Sequence, residues 1–226
     1  LNLPICTEHF IGDVHGEYEA FYHILNNFSG VIHEKVNIIF GDRLSVEERA
    51  ELCTLIYYPE ERLEIVHETI KDLESWYKIT LNQLIEICKL VASKYTRSKV
   101  RKALPKEFSY IIDELLHSVE GDINQEAYHS NIMDTIISIH NADEFIIALA
   151  TLIKRLAVDH LHIVGDIFDR GPRADSIMDM LMQHHAVDIQ WGNHDILWMG
   201  ASTGHAACVA TVVKTSVSHK RLDTLE

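Results

Sequence analysis

The pattern of apolar and polar residues divides the chain into three parts, and the first part is residues 1–44. A short apolar run, His9-Phe10-Ile11, ends at Gly12-Asp13, and apolar residues then recur at helical spacing until Ser29-Gly30. This order predicts a strand, a loop and a helix. The next apolar run, Val36 to Phe40, contains several β-branched residues and fits either a strand or the end of a helix.

The second part, residues 45–157, has the pattern of a helical insertion or subdomain. Ser45 and Glu48 have the spacing of a capping box, in which each side chain binds the backbone N–H of the other residue at the start of a helix. Farther along, apolar residues recur at offsets that predict one helix face, formed by Leu63, Val66, Ile70 and Leu73.

Two breaks divide the rest of this helical part. Pro105 ends one run, and a helix is expected around Phe108 to Val119. Gly121-Asp122 marks the next break. The final helix is predicted from Asp143 to Leu156, because its apolar residues form one stripe.

The third part, residues 158–226, returns to alternating strands and helices. Apolar runs at Leu161 to Val164 and at Val187 to Trp191 predict strands, and helices are predicted for Ala174 to His185 and for Ala206 to Ser216. We therefore expect an α/β (α+β) fold in which a large helical insertion separates two parts of one core.

Composition narrows the classes of function. The chain has 226 residues, 47% of them hydrophobic, and its 20 Lys and Arg against 34 Asp and Glu give a formal net charge of −14. Such an acidic chain is poorly suited to a nucleic-acid backbone, and no apolar run is long enough for a membrane helix. The four cysteines are far apart, and no secretory signal pattern is present. We therefore expect a cytoplasmic protein without nucleic-acid or membrane partners.

Each of the three predicted strands ends in a glycine that is followed at once by polar side chains. The segments are Gly12-Asp13-Val14-His15-Gly16, Gly165-Asp166-Ile167-Phe168-Asp169-Arg170-Gly171 and Gly192-Asn193-His194-Asp195. Sites in α/β folds gather at the carboxyl ends of strands, and glycine lets the backbone turn sharply there. We therefore expect the three segments to converge on one crevice.

The side chains of these segments suit a site for two divalent cations that acts on a phosphate ester. Aspartate, histidine and asparagine without cysteine favour manganese, iron, zinc or magnesium. Two such cations bind the attacking and leaving oxygens of a phosphate displacement and lower the pKa of a bound water. Arg170 supplies a planar guanidinium for phosphate oxygens, and His194 is a candidate to protonate the leaving oxygen, with a carboxylate orienting its ring.

The three segments resemble the metal-binding motifs of the calcineurin-like metallophosphoesterase superfamily. The helical insertion, together with the segments Val158 to Asp166 and Trp191 to Gly200, is similar to class 3 fructose-1,6-bisphosphatase, and the similarity covers essentially the whole chain. The resemblance implies a metallophosphatase-type α/β/β/α sandwich, of which we expect the N-terminal part here. It also implies hydrolysis of fructose 1,6-bisphosphate in gluconeogenesis.

The resemblance assigns metal-binding roles to four residues. Asp13 and His15 correspond to ligands of one metal, Asp166 to the aspartate that bridges two metals, and Asn193 to the asparagine that binds the second. Two Mn²⁺ are the expected cofactors, with other divalent metals as alternatives.

The resemblance also implies the catalytic groups and the partners. His194 corresponds to the general acid, Asp169 to the carboxylate that orients it, and Arg170 to the arginine that binds the phosphate. The expected substrate is a sugar bisphosphate. A nucleotide or phosphometabolite effector and a homo-oligomer are further expectations.

The chain departs from the superfamily pattern after the third motif. The superfamily has further histidine ligands well downstream, whereas only His205 and His219 follow Asp195 here, and His205 comes too early. We therefore expect a portion of a longer enzyme with an incomplete ligand set. Three alternatives stay open: a protein Ser/Thr phosphatase, a dinucleoside polyphosphate hydrolase, and an inactive fragment that serves as an interaction module.

Several polar residues outside the motifs allow a simple structural interpretation. A basic stretch is either an anion site for a sugar phosphate or nucleotide, or a solvated helix end; it comprises Lys94, Arg97, Lys99, Arg101 and Lys102. We expect His162 to be a core or edge histidine, and His184-His185 to be solvated at a helix end.

Overall fold

The computed structural model describes the backbone of residues 7–117 and 123–220 and the side chains of residues 7–117 and 127–220. This part of the chain is a mixed α/β structure that is mostly helical and contains a small parallel sheet. Its residues divide into two compact units. The helical unit comprises Ser29–Ala157, and the sheet unit combines residues 7–28 with residues 158–220.

The strands are β1 Glu8–Ile11, β2 His160–Val164 and β3 Val187–Gln190. The helices are α1 Tyr18–Asn27, α2 Val31–Phe40, α3 Val46–Tyr57, α4 Pro59–Thr69, α5 Leu73–Ala92, α6 Arg97–Ala103, α7 Ser109–Leu116, α8 Ile123–Ser138, α9 Ala142–Ala157, α10 Ala174–Gln183, α11 Asn193–Ser202 and α12 Ala206–His219. A single 3₁₀ turn, Phe28–Gly30, follows α1.

The sheet unit is built around β2, which pairs in parallel with β1 on one side and β3 on the other. One face of β2 presents Leu161 and Ile163, which are buried with Phe21 of α1 and with Ile177 and Leu181 of α10. Full burial of such side chains contributes about 1.5–3 kcal/mol each relative to exposure. This packing stabilises one face of the sheet against α1 and α10.

The opposite face of the sheet is open among the described residues. Phe10 of β1 has 62% of its surface exposed, and Val164 of β2 has 51% exposed. Because side chains alternate between the two faces of a strand, these residues and their in-register neighbours form a single surface.

The core of the helical unit lies between α5 and α9. Helix α9 buries its apolar stripe completely, with Phe145, Ile146, Leu149, Leu152 and Ile153 all at 0% exposure. This helix confirms the prediction for Asp143 to Leu156. The capping box is also confirmed, because Glu48 N–H donates to Ser45 Oγ at 3.1 Å and Ser45 N–H donates to Glu48 Oε2 at 2.7 Å.

The strand predictions are confirmed, and the ambiguous run Val36 to Phe40 is helical. It forms the second half of α2, in which Val36 and Phe40 are buried. A two-residue repeat would also bury Ile38, which lies between them and is 60% exposed, whereas in a helix Ile38 lies on the side opposite Val36 and Phe40.

The prediction of one continuous helix face from Leu63 to Leu73 is wrong. Helix α4 ends at Thr69, Ile70 has extended backbone angles (φ −91°, ψ 122°), and α5 begins at Leu73. The break has a local cause, because Asp72 accepts a hydrogen bond from Ser75 N–H at 3.1 Å and so caps the new helix.

The remaining helices match their predictions in place but not in every boundary. Helix α7 begins at Ser109, one residue after the predicted start, and α10 ends at Gln183. Val119 and Gly121-Asp122 lie outside the described residues.

Within the described residues, no single helix is both long and apolar enough to cross a bilayer. Two consecutive helical segments, Ala127–Ser138 and Ala142–Ala157, are together long and apolar enough, but they are bent by 120° relative to each other.

Candidate active site

Three loops follow the carboxyl ends of the three strands and meet in the sheet unit. We define loop 1 as residues 12–16, loop 2 as residues 165–171 and loop 3 as residues 191–192, which lead into α11. Backbone hydrogen bonds join the first two loops: His15 N–H donates to Asp166 O and Gly16 N–H to Ile167 O, both at 2.8 Å, and Gly171 N–H donates to His15 O at 2.7 Å. The convergence of loops 1 and 2 predicted from the sequence is therefore present.

Loops 1 and 2 touch where each has a glycine. A Cβ atom on Gly16 would lie 2.7 Å from Gly171 O, and the φ angle of Gly16 is +69°. Any side chain at this position would be strained, both by the close backbone contact and by the left-handed conformation. The glycine that ends the first motif thus allows the contact between the loops.

Asp195 holds loop 2 in place. Its Oδ2 accepts hydrogen bonds from Asp166 N–H and Gly192 N–H, both at 2.8 Å. Its Oδ1 accepts from Ile167 N–H at 2.9 Å and from Phe168 N–H at 3.0 Å. Asp195 is 6% exposed, so one buried carboxylate satisfies four backbone donors of loops 2 and 3.

Asp195 is the residue of the site whose role the sequence reasoning missed. It stands in the third motif, but no function was assigned to it. One of its four hydrogen bonds could have been predicted from the sequence. Asp195 is the third residue of α11, a position where a carboxylate accepts from the backbone N–H of the residue before the helix. The three bonds to loop 2 depend on tertiary structure and have no signal in the local pattern.

The first three predicted metal ligands come together. Asp13, His15 and Asp166 offer ligand atoms that all lie within 4.8 Å of one another. His15 Nε2 is 3.9 Å from Asp13 Oδ1, while His15 Nδ1 lies 3.3 Å from the carbonyl oxygen of Phe168. A carbonyl that accepts from Nδ1–H leaves Nε2 as the nitrogen that can bind a cation. The set of one imidazole and two carboxylates therefore fits a divalent cation.

The predicted catalytic pair is also present. His194 Nδ1 lies 2.7 Å from Asp169 Oδ2, and the side chain of Asp169 is 6% exposed. Because a carboxylate only accepts hydrogen bonds, His194 carries a proton on Nδ1, and Nε2 is the nitrogen that can exchange a proton with a substrate. Asp169 Oδ1 accepts from Arg170 N–H at 2.9 Å, which holds the carboxylate in this orientation.

His194 lies next to the candidate metal ligands. Its ring centroid is 5.3 Å from that of His15, with the planes at 87°. Its backbone N–H donates to Asp166 Oδ1 at 3.2 Å. The first turn of α11 thus faces Asp166, where the positive end of the helix dipole favours a carboxylate.

Asn193 and Arg170 lie at this site with exposed side chains. Asn193 is the first residue of α11, directly before His194. The guanidinium of Arg170 has no ion pair or hydrogen bond to any of the described residues, so it is available to an anion. The structure thus leaves both predicted side chains open to solvent.

Backbone strain is concentrated in loops 1 and 2. Five non-glycine site residues have positive φ, namely Asp13 (52°), His15 (48°), Asp166 (55°), Asp169 (77°) and Arg170 (72°). Each costs about 1–3 kcal/mol, and such conformations persist where the surrounding contacts determine them. The inter-loop bonds and Asp195 supply those contacts here.

His205 does not join this cluster. It is exposed at the N-cap position of α12, and it is absent from the groups of described His, Asp, Glu and Cys side chains that lie within metal-binding distance of one another.

The basic stretch is engaged within its own unit. Arg97 and Arg101 both donate to Asp113 Oδ2, at 2.9 Å and 2.8 Å. Burial alone raises the pKa of Asp113, but the hydrogen bonds from the two arginines outweigh it, so the pKa lies below its ordinary value. Neither interpretation of these two arginines from the sequence included an internal carboxylate.

The prediction that His184 is solvated is wrong. Burial, with a smaller contribution from the neighbouring His185, lowers the pKa of His184 to about 4. Its Nδ1 lies 3.0 Å from the carbonyl oxygen of Ala186 in the turn before β3. His184 is therefore partly buried, whereas His185 is exposed as predicted.

The sheet unit thus places acidic and imidazole groups at the carboxyl ends of its parallel strands, where α/β folds place their sites, with the His194–Asp169 pair beside them. The model of the Firmicute fructose-1,6-bisphosphatase family matches residues 1–226, and the chain belongs to that family.

Curated proteins named "Fructose-1,6-bisphosphatase class 3" are similar over the whole chain. The protein of Clostridium acetobutylicum is 61% identical, that of Bacteroides thetaiotaomicron 60% and that of Clostridium novyi 58%, each over 226 residues. These matches cover 100% of this chain but 34% of each relative, so the chain spans about a third of the length of the curated relatives it matches. No solved structure matches significantly.

Proposed function

We propose that the enzyme containing this chain is a metal-dependent phosphomonoesterase that hydrolyses fructose 1,6-bisphosphate to fructose 6-phosphate and phosphate. Membership of the Firmicute fructose-1,6-bisphosphatase family and the names of its relatives support the substrate. The observation that carries the chemistry is the convergence of Asp13, His15 and Asp166 within 4.8 Å of one another, beside the His194–Asp169 pair.

The donor set fits divalent cations, and we propose two Mn²⁺. Asp13, His15 and Asp166 would hold one cation, and Asp166 with Asn193 would hold the second. One imidazole, carboxylate oxygens and an amide oxygen, with no thiolate, are ligands that manganese accepts. When bound, the cations supply positive charge for the phosphate oxygens and lower the pKa of a water molecule.

His194 acts as the proton donor to the sugar oxygen that leaves when the phosphate ester bond breaks. Asp169 keeps Nδ1 protonated and orients the ring, so that Nε2 delivers the proton. Arg170 binds the phosphate through its free guanidinium, and its planar donors match two phosphate oxygens.

The remaining expectations belong to the whole enzyme. We propose that residues 1–44 and 158–226 contribute to a metallophosphatase-type α/β/β/α sandwich and that residues 45–157 form its helical insertion. The site residues of this chain are then completed by ligands from elsewhere in the enzyme. A cytoplasmic location, a phosphometabolite or nucleotide effector and a homo-oligomer are part of the same proposal.

The test is phosphate release by the product of the complete reading frame in Mn²⁺. Three substrates are compared: fructose 1,6-bisphosphate, a phosphopeptide and a dinucleoside tetraphosphate. Asp166→Asn serves as the blank. We expect the sugar bisphosphate to have the highest kcat/KM and the blank to be inactive. If either other substrate is preferred, the proposed substrate is wrong but the proposed site stands. If Asp166→Asn releases phosphate as fast as the native enzyme, the proposed site is wrong.

A further inference from the structure

A second cluster of metal-ligating side chains lies on the open face of the sheet, within the strands and before the loops of the active site. His160 and His162 alternate along β2, so both point to one face. The strand register places Glu8 of β1 beside His160 and Asp188 of β3 beside His162. The four side chains therefore share one face of the sheet, and we call them the sheet-face cluster.

The distances within the sheet-face cluster suit a single cation. His160 Nε2 lies 3.0 Å from Asp188 Oδ2, and His162 Nδ1 lies 3.6 Å from the same oxygen. Ligand atoms of the two histidines and Asp188 all lie within 4.8 Å of one another. Tetrahedral ligands at the usual zinc distances of about 2.0–2.2 Å lie about 3.3–3.5 Å apart. The observed separations therefore require only small side-chain adjustments.

The hydrogen-bonding state of His160 leaves its Nε2 atom open to a ligand, and that of His162 leaves Nε2 open to Glu8. His160 Nε2 and His162 Nε2 are buried, and neither has a hydrogen-bond partner among the described residues. The close contact of His160 Nε2 with Asp188 lacks the alignment of a hydrogen bond. Buried polar nitrogens are normally satisfied, and a cation between His160 Nε2 and the Asp188 carboxylate would engage both atoms.

The groups around the two imidazoles restrain both rings and include carboxylates, which favour a cation over an anion. The two rings stack at a centroid distance of 4.6 Å, and Phe10 stacks on the outer side of His162 at 4.5 Å. These contacts limit the rotation of both imidazoles. Glu8 Oε2 lies 3.7 Å from His162 Nε2, close enough to accept its proton after a small ring rotation once Nδ1 is engaged.

We propose that His160 Nε2, His162 Nδ1 and Asp188 Oδ2 bind a divalent transition-metal cation, with Glu8 as a positioning residue for His162. Two imidazoles and one carboxylate without thiolate favour Zn²⁺ over the hard cations that prefer oxygen alone. The site uses none of the candidate active-site residues, and it does not depend on the proposed phosphatase activity.

The test counts Zn²⁺ bound by the product of the complete reading frame in an Asp13→Asn/Asp166→Asn background, which weakens the active-site cluster. Equilibrium dialysis against Zn²⁺ alone gives the number of equivalents and the Kd, and Co²⁺ substitution gives a visible spectrum of the site. Adding Asp188→Asn is expected to remove one equivalent. Adding Glu8→Gln is expected to weaken the Kd by about 10–100-fold, the usual effect of losing a group that orients a ligand.

Asp179→Asn is the matched control, because it makes the same change at an exposed position of α10 in the same unit. It should leave both the number of equivalents and the Kd unchanged. If Asp188→Asn and Asp179→Asn bind Zn²⁺ equally, the cluster is not a metal site. Circular dichroism checks folding, and His160→Gln replaces Asp188→Asn if the latter does not fold. Phosphate release is measured separately, so failure of the metal site and failure of the phosphatase are distinguishable.

Discussion

The contribution of Asp195 can be tested by replacing its carboxylate with an amide of the same shape. In Asp195→Asn, the amide oxygen can still accept two of the four backbone hydrogen bonds, all of which are 2.8–3.0 Å long in the native site. The amide nitrogen then faces the other two N–H groups, donor against donor. Two buried N–H groups therefore lose their acceptor, whichever way the amide turns.

The expected destabilisation follows from these two donors. Leaving one buried donor unsatisfied costs about 1–3 kcal/mol, so Asp195→Asn should lower the free energy of unfolding of the sheet unit by about 2–6 kcal/mol. The loss of position at the Asp166 backbone should also weaken metal binding by about 10–100-fold, as when other supporting groups around a metal are lost.

Urea unfolding followed by tryptophan fluorescence measures this change. Trp191 and Trp198 lie in the sheet unit, and a Trp76→Phe background removes the signal of the helical unit. Asp179→Asn is again the control, with an expected change within about 0.5 kcal/mol of zero. If Asp195→Asn is as stable as this control and binds metal equally well, the four hydrogen bonds do not hold the loops.

Three further predictions concern single residues of the sheet unit. Gly16→Ala should lower the free energy of unfolding by about 2–4 kcal/mol, because the new Cβ would lie 2.7 Å from a backbone oxygen of loop 2 at a φ of +69°. In the complete enzyme, His194→Asn should lower kcat for fructose 1,6-bisphosphate by about 10²–10⁴-fold with a smaller effect on KM, since it removes the proton donor. Burial holds the pKa of His184 at about 4, below its ordinary value of 6.5, so the unfolded chain binds a proton that the native chain does not. Stability should therefore fall as pH drops from about 6.5 towards 4, by about 1 kcal/mol at pH 5 after allowance for solvent screening, and His184→Gln should lack this loss.

Each of these predictions has a control and an outcome that contradicts it. Gly204 also has positive φ, but a Cβ atom there would meet no atom within 4 Å, so Gly204→Ala should lower the free energy of unfolding by only about 1 kcal/mol. If Gly16→Ala costs no more than Gly204→Ala, the predicted clash with loop 2 does not occur. A His194→Asn enzyme with unchanged kcat would exclude proton donation by that ring. For the pH series the control is His219→Gln, a change at an exposed position, which should leave the pH dependence of stability as in the native protein. If His184→Gln also keeps that pH dependence, the loss of stability at low pH comes from other groups.

Strands, helices and motifs followed from local patterns because their causes are local. The capping box of Ser45 and Glu48 and the apolar stripe of α9 each lie within a few turns of chain, so spacing alone predicted them. The three motifs were recognisable because an apolar run, a glycine and polar residues are adjacent in sequence. Their convergence followed from a general rule about parallel strands.

Tertiary structure decided the features that depend on distant partners. Val36 to Phe40 became helical because one side of that segment is buried in the helical unit, which the pattern of five residues does not reveal. Arg97 and Arg101 meet Asp113, a partner that no local pattern indicates.

The same distinction applies to the two clusters of the sheet unit. The sequence by itself determined which residue types stand at the strand ends, and hence the candidate ligands Asp13, His15 and Asp166. The sheet-face cluster depends on register, because a shift of one residue in β3 would turn Asp188 to the opposite face. The role of Asp195 depends on loops 2 and 3 meeting in space, since its four hydrogen-bond donors come from two segments more than twenty residues apart. Patterns of spacing specify elements and faces, whereas contacts across strands and loops arise only when the chain has packed.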